Sequence, residues 1–172
     1  MAQPSDRIQA LVDELTAARD EFMAAIGDID PALRTTPGLV GAWSARELIG
    51  HLGYWSGHAA EALHRAEQDE LDAFGIDELT VDERNDVVAK VAAQADWSTV
   101  TAREQGACEA FAARLARADP DRLGERDADG DTLAEIVAFD GVDHYREHTL
   151  DIRAWFNEAD APDDDSPEAD DD

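Results

Sequence analysis

The chain has 172 residues, of which 44% are hydrophobic, and this suits one domain around a single packed core. It carries 14 basic and 41 acidic residues, a net charge of -27. So acidic a surface repels phosphates, and we expect neither nucleic-acid binding nor attachment to an anionic membrane. No apolar run approaches the ~20 residues that span a bilayer. The start of the chain lacks a signal-peptide pattern, so we expect a cytoplasmic protein.

The acidity itself has two explanations. Lys90 is the only lysine in the chain, and a lysine-poor, aspartate-rich surface suits a high-salt cytoplasm that screens self-repulsion. A genome rich in G and C would give a similar composition, and both explanations stay open. The single cysteine, Cys108, cannot form an intramolecular disulfide, and we predict that it is a small buried core residue.

The first predicted helix runs from Ser5 to Ile26, because apolar residues recur there at spacings of three and four. A loop containing glycine and proline follows. The second helix opens at Ser44, where Ser44 and Glu47 match a capping box. Its apolar stripe contains His51. His58 lies seven residues later, which is ~10 Å along a helix and too far for both histidines to bind one metal ion.

In the middle of the chain, the sequence pattern predicts a long connection followed by two helices. Residues 68–82 are acidic and contain a glycine, and their length permits a crossover instead of a tight hairpin. A shorter helix follows over about 82–95. Another helix, for which Ser98 is a plausible N-cap, continues to about Ala118.

The last predicted helix begins at Thr132, the first residue of a second capping box. Its inward stripe is apolar at both ends but holds Asp140, His144 and His148 at its centre. Polar groups on a core-facing stripe cost stability unless something satisfies them. We predict an all-α fold, with a helical domain over residues 1–157 and an acidic disordered tail over 158–172.

Three of the five histidines are candidate metal ligands. His144 and His148 lie one helical turn apart and project from one face, and His51 lies on the apolar stripe of another helix. Neutral imidazole binds several first-row metal ions. The alternative is a packed or hydrogen-bonded histidine at each position, and the residues alone leave both interpretations open. Asp140 could orient a ligand imidazole or bind directly, or it could form a local salt bridge.

Two segments of the chain resemble those of the DinB-like superfamily, which includes the N-terminal domain of mycothiol-dependent maleylpyruvate isomerase. The first is Trp-Ser-Ala-Arg-Glu-Leu-Ile-Gly-His-Leu over residues 43–52. The second is Asp-His-Tyr-Arg-Glu-His over 143–148, followed by Ile-Arg-Ala-Trp over 152–155. The isomerase branch has a carboxylate where this chain has His144. The resemblance covers about residues 5–157.

The resemblance implies a four-helix bundle with a long crossover connection between helices 2 and 3. It also implies one divalent ion, most often zinc or nickel, held by His51, His144 and His148. Some branches form homodimers, which makes a homodimer a reasonable expectation. The isomerase and bacillithiol-transferase branches point to a low-molecular-weight thiol as a cofactor.

The favoured function is therefore a metal-assisted, thiol-dependent transferase or isomerase that acts on a small electrophile. Arg46, Arg84 and Arg146 are candidate contacts for an anionic thiol, although surface salt bridges explain each equally well. A metal-dependent hydrolase, with Asp140 or Glu147 relaying protons, is an alternative. A non-enzymatic stress-related metal- or ligand-binding protein is another, so the sequence does not decide whether the protein is an enzyme.

Overall fold

The computed structural model describes residues 4–75 and 79–159, and this part of the chain is almost entirely helical. Two 3₁₀ turns, Leu71–Ala73 and Pro120–Gly124, lie in the connections, and no β-strand occurs in the described ranges. The α-helices are α1 Pro4–Asp28, α2 Ala45–Glu67, α3 Val81–Ala93, α4 Trp97–Leu115, α5 Leu133–Val137 and α6 His144–Ala159.

Helix α2 lies at the centre of the packing. It packs against both α4 and α3, while α1 packs against α6. The core side chains come from all of these helices, and those of Phe22, Leu48, Phe111 and Ile152 are fully buried. This arrangement places the apolar stripe of α2, with His51, against the last helix of the chain.

The predicted helix starts are largely confirmed. Glu47 accepts a hydrogen bond from the backbone N–H of Ser44 at 2.6 Å, and Glu135 accepts one from the N–H of Thr132 at 2.8 Å. Both contacts satisfy N–H groups that a helix terminus leaves unpaired. The predicted N-cap of α4 is wrong: the cap is Asp96, whose carboxylate accepts from the N–H of Thr99.

The last helix is not continuous as predicted. A π-helical turn, Ala138–Asp143, separates α5 from α6, and Gly141 within it has non-helical backbone angles (φ -111°, ψ -106°). A Cβ at Gly141 would lie 2.8 Å from Cε1 of Phe111. The turn therefore needs glycine for close packing, and it changes the directions in which Asp140 and His144 point relative to a regular helix.

A buried ion pair fixes the orientation of α6. Glu104 of α4 is fully buried and receives two hydrogen bonds from Arg19 of α1, at 2.8 and 2.7 Å. The hydroxyl of Tyr145 donates to the same carboxylate at 2.6 Å and also contacts Ser56 of α2 at 3.0 Å. Four helices thus meet at one network beside His144, so this network limits rotation of α6.

The predicted all-α class is confirmed, while the four-helix count and the crossover connection stay predictions. The domain boundary at 157 also stays a prediction; helix α6 continues to Ala159, and residues 160–172 of the predicted tail lie outside the described residues.

Cys108 is buried as predicted, and burial raises the pKa of its thiol to about 11. Among the described helices, none is long and apolar enough to cross a bilayer.

Candidate metal centre

The three predicted ligand histidines come together in the core. His51 of α2 and His144 and His148 of α6 each offer one ring nitrogen, and these nitrogens all lie within 4.8 Å of one another. The Nε2 atoms of His51 and His144 are 2.8 Å apart. The three residues are only 4%, 8% and 8% exposed. We call this group the histidine cluster.

Aromatic rings surround the histidine cluster. The ring of Trp43 lies 4.8 Å from that of His51, and Trp55 lies 6.4 Å from the rings of both His51 and His144. Phe139 stacks on His144 at 6.2 Å. These side chains limit water access, so the cluster lies in a medium of low polarity.

This environment keeps two of the imidazoles neutral. Burial, together with the nearby charges that His144 and His148 would carry, lowers the pKa of His51 to about 2. Burial and His148 lower the pKa of His144 to about 3. A neutral imidazole has a lone pair that can bind a metal ion, whereas a protonated one has none. The cluster is therefore ready to bind a metal at neutral pH.

A carboxylate orients the third histidine. Asp151, one turn further along α6, lies with its Oδ2 atom 2.8 Å from Nδ1 of His148. An ionised carboxylate can only accept, so Nδ1–H is the donor, and in the neutral ring Nε2 then carries the lone pair. Carboxylates occupy this position behind many ligand histidines in metalloproteins.

The donor set fits a divalent transition metal. Three neutral imidazoles suit zinc, nickel, iron and copper, and three protein ligands leave coordination positions for water or substrate. The buried Nδ1 atoms of His51 and His144 have no hydrogen-bond partner among the described residues. The Nε2 atoms of His51 and His144 are the ones that converge, at 2.8 Å.

Asp140 lies apart from this arrangement. Its Oδ2 atom is 2.7 Å from Nδ1 of His58, and both side chains are largely buried. Burial raises the pKa of Asp140, while the hydrogen bond from His58 acts in the opposite direction. Asp140 therefore pairs with His58 and not with a histidine of the cluster. His58 lies further along α2 than His51. We call these two residues the His58–Asp140 pair.

The other candidate residues lie on several surfaces. Glu147 is exposed on α6, and Arg146 reaches Glu14 of α1 at 3.8 Å. Arg46 donates to the backbone carbonyl of Ala95 at 3.3 Å. Arg84 contacts the hydroxyl and the ring of Tyr54. The structure does not bring these residues into one group, and their predicted roles in proton transfer and thiol binding stay predictions.

A cavity of about 360 Å³ lies beside the histidine cluster, and its size is in the range of small-molecule sites. Two of its walls, Trp55 and Phe139, are the rings that contact His144. We call it the acidic cavity. Its described lining residues are Trp55, His58, Val81, Asp127, Asp129, Asp131, Glu135, Ile136, Phe139 and Asp140.

The family model described as the DinB superfamily matches residues 14–152, which include the whole histidine cluster. The chain belongs to the DinB superfamily. This confirms the resemblance seen in the two histidine segments. No curated protein matches the chain.

Two solved structures share the fold. One is the colibactin self-resistance protein ClbS in complex with double-stranded DNA, at 14% identity and a TM-score of 0.69, covering 86% of this chain and 93% of that one. The other is an uncharacterised protein from Escherichia coli UTI89, at 12% identity and a TM-score of 0.69, covering 92% and 96%. At these identities the likeness concerns the fold alone.

The ClbS complex corrects one expectation. The acidic composition led us to exclude nucleic acid as a partner, yet a protein of this fold is found in complex with double-stranded DNA. The exclusion was wrong because net charge describes the average surface. Contacts to phosphate depend on local groups, and a fold can present them whatever the overall charge.

The sequence interpretation missed two features of the site. Asp151 was not singled out, although its spacing of three residues from His148 places both on one helix face. The pairing of His58 with Asp140 carried no local signal, because the two residues are 82 positions apart. Only the packing of α2 against the π-helical turn brings them together.

Proposed function

We propose that this DinB-superfamily protein binds one divalent metal ion, zinc or nickel, through His51, His144 and His148. We further propose that it is a thiol-dependent transferase or isomerase acting on a small electrophile. The observation that carries the proposal is the convergence of three buried imidazoles, two of them with strongly lowered pKa values. Clusters of buried titratable groups with perturbed pKa values are enriched at functional sites.

A divalent ion with open coordination positions supplies Lewis acidity and keeps a bound thiol or water ionised near neutral pH. The residues of the chain orient a ligand histidine, exclude water and leave space for the substrate. Asp151 fixes the tautomer of His148, and Trp43 and Trp55 exclude water from the rings of the cluster. The acidic cavity beside His144 has room for the small electrophile.

Metal-dependent hydrolysis is the second candidate, and the His58–Asp140 pair favours it. A histidine whose Nδ1–H is held by a carboxylate presents Nε2 as a proton acceptor, which is the arrangement of a general base. Both residues line the acidic cavity. A thiol-dependent enzyme needs added thiol for turnover, whereas a hydrolase acts without one. A binding protein gives turnover in neither case.

The first experiment is elemental analysis of the untagged protein by plasma mass spectrometry. We expect about one zinc or nickel per chain. His51→Ala, His144→Ala and His148→Ala should each lose it. The matched control is His64→Ala, because His64 is 40% exposed on the same helix as His51. Absence of stoichiometric metal, with added zinc and nickel also failing to bind, would overturn the proposed metal site.

The thiol step has its own test. Cobalt bound in place of the native ion gives a visible spectrum that depends on its ligands. Adding a small thiol such as cysteine should intensify and shift this spectrum in the wild-type protein. An unchanged spectrum up to millimolar thiol would contradict the thiol-dependent activity while leaving the metal site intact.

A further inference from the structure

The acidic cavity has features that metal binding does not use. His58 and Asp140 form part of its wall, and neither belongs to the histidine cluster. Nδ1 of His58 lies 2.7 Å from Oδ2 of Asp140; when Nδ1–H donates to this carboxylate, Nε2 of a neutral imidazole is a hydrogen-bond acceptor. That Nε2 atom is buried and has no hydrogen-bond partner among the described residues. A buried acceptor without a donor costs stability, so the site favours a ligand that brings an N–H or O–H group.

The charge of the wall favours a cation over other donors. Five carboxylates line the cavity, and the described lining contains no lysine or arginine. Hydrogen bonds from Thr132 lower the pKa of Glu135, so this carboxylate is ionised at neutral pH. Concave surfaces lined by charge of one sign concentrate ions of the other sign.

Backbone N–H groups hold two of these carboxylates in place, those of Asp127 and Glu135. Oδ1 of Asp127 accepts hydrogen bonds from three successive N–H groups, those of Asp129, Gly130 and Asp131. Glu135 caps α5. Attraction of a diffuse organic cation leaves these contacts intact.

Aromatic rings complete the wall. Trp55 lies against His58 with ring centroids 5.2 Å apart, and Phe139 is 67% exposed. Cations bind to the faces of Trp and Phe rings, and the gain rises when the site is partly desolvated. The cavity therefore combines a negative field, aromatic faces and one directed acceptor.

We propose that the acidic cavity binds a small organic ammonium ion, which donates an N–H to Nε2 of His58 and packs against Trp55 and Phe139. Asp140 is a positioning residue that fixes the His58 tautomer. The proposal goes beyond the metal-dependent activity, since binding requires only the cavity. It states that the acidic cavity selects a positively charged molecule.

Three probes of one size test the charge preference. Benzylamine is a cation at pH 7, benzyl alcohol is neutral and benzoate is an anion, and all three carry the same ring. We expect benzylamine to bind about tenfold more tightly than benzyl alcohol in calorimetry, and benzoate not to bind. Equal affinity for benzylamine and benzyl alcohol, or preferential binding of benzoate, would overturn the proposal.

Variants and ring nitrogen spectra test the role of His58. His58→Leu should lower benzylamine affinity about tenfold, while Glu158→Gln, an exposed charge change on α6, should leave it unchanged. In ¹⁵N-labelled wild-type protein, benzylamine should shift the Nε2 resonance of His58. This measurement tests the contact between benzylamine and Nε2 even if His58→Leu fails to fold. An unmoved Nε2 resonance would overturn the contact.

The same titrations are made with metal-free protein. Binding of benzylamine without metal supports the cavity proposal whatever the outcome for the metal site. Loss of the charge preference in protein that still binds metal would refute only the cavity proposal. The two proposals can therefore fail separately.

Discussion

Asp151 holds Nδ1 of His148 at 2.8 Å, and the two residues lie one helical turn apart on α6. The carboxylate is half exposed while the imidazole is buried, so the pair links the histidine cluster to the protein surface. The hydrogen bond fixes which nitrogen of His148 faces the other two histidines. Ligand orientation in this centre thus depends on a residue outside the ligand set.

Asp151→Ala should weaken metal binding without abolishing it. Loss of a carboxylate behind a ligand histidine typically lowers metal affinity about 10–100-fold, because the ring loses its fixed tautomer. Competition with a chromophoric chelator measures the affinity. Glu147→Gln, which changes an exposed charge beside His148, is the control and should change affinity less than threefold. Equal effects of the two substitutions would remove the assigned role of Asp151.

The metal-free protein should lose stability as the pH falls below about 6.5. The pKa values of His51 and His144 are about 2 and about 3 in the folded chain, whereas an unfolded histidine has a pKa of about 6.5. The unfolded state therefore binds more protons between these values, and stability falls as pH decreases. Each histidine should contribute roughly 1–2 kcal/mol of loss between pH 7 and pH 5.

Urea denaturation in the presence of a chelator measures this dependence. The double variant His51→Gln/His144→Gln should show a much flatter stability profile between pH 7 and pH 5. The raised pKa of Asp140 acts with the opposite sign and is present in both proteins, so the comparison cancels it. Parallel profiles for the two proteins would show that the histidines are not buried in neutral form.

Gly141→Ala should destabilise the protein by about 1–3 kcal/mol, because its Cβ would lie 2.8 Å from Cε1 of Phe111. The cost should fall in the double variant with Phe111→Leu. Gly106→Ala is the control, since a Cβ there meets nothing within 4 Å in the middle of α4. It should be neutral or stabilising. Thermal and urea unfolding measure the stability of Gly141→Ala, of the double variant and of Gly106→Ala. Equal stability changes in Gly141→Ala and Gly106→Ala would contradict close packing of Phe111 against Gly141.

Glu104→Ala should cost about 3–5 kcal/mol, because it leaves Arg19 and the hydroxyl of Tyr145 without their buried partner. Urea unfolding measures the change. Glu109→Ala removes an exposed carboxylate from the same helix and should change stability by less than about 0.5 kcal/mol. A loss below about 1 kcal/mol for Glu104→Ala would show that the network is solvated in solution.

The features that could be predicted from the sequence are those that depend on residues close together in the chain. The capping boxes at Ser44 and Thr132 and the apolar periodicity placed most helix ends within a few residues. The spacing of His144 and His148 identified a shared helix face. These features follow from contacts within one or two turns, so a short segment contains the information for them.

Contacts between distant segments could not be predicted in this way. Glu104 looked like one acidic residue among many, yet it is fully buried because Arg19 and Tyr145 reach it from other helices. The sequence pattern predicted a regular helix where the π-helical turn lies, and the close approach of Phe111 to Gly141 there is a contact between residues distant in sequence. A single-residue widening of a helix leaves little trace in hydrophobic periodicity.

The sequence by itself determined that the chain is helical and acidic, and it singled out three histidines as a candidate set through periodicity and spacing. Only the tertiary structure decided that these imidazoles meet within 4.8 Å, that Asp140 belongs to His58, and that carboxylates line the adjoining cavity. The reason is physical. Helix formation depends on neighbours a few residues apart, whereas a site is made where helices distant in sequence pack against each other.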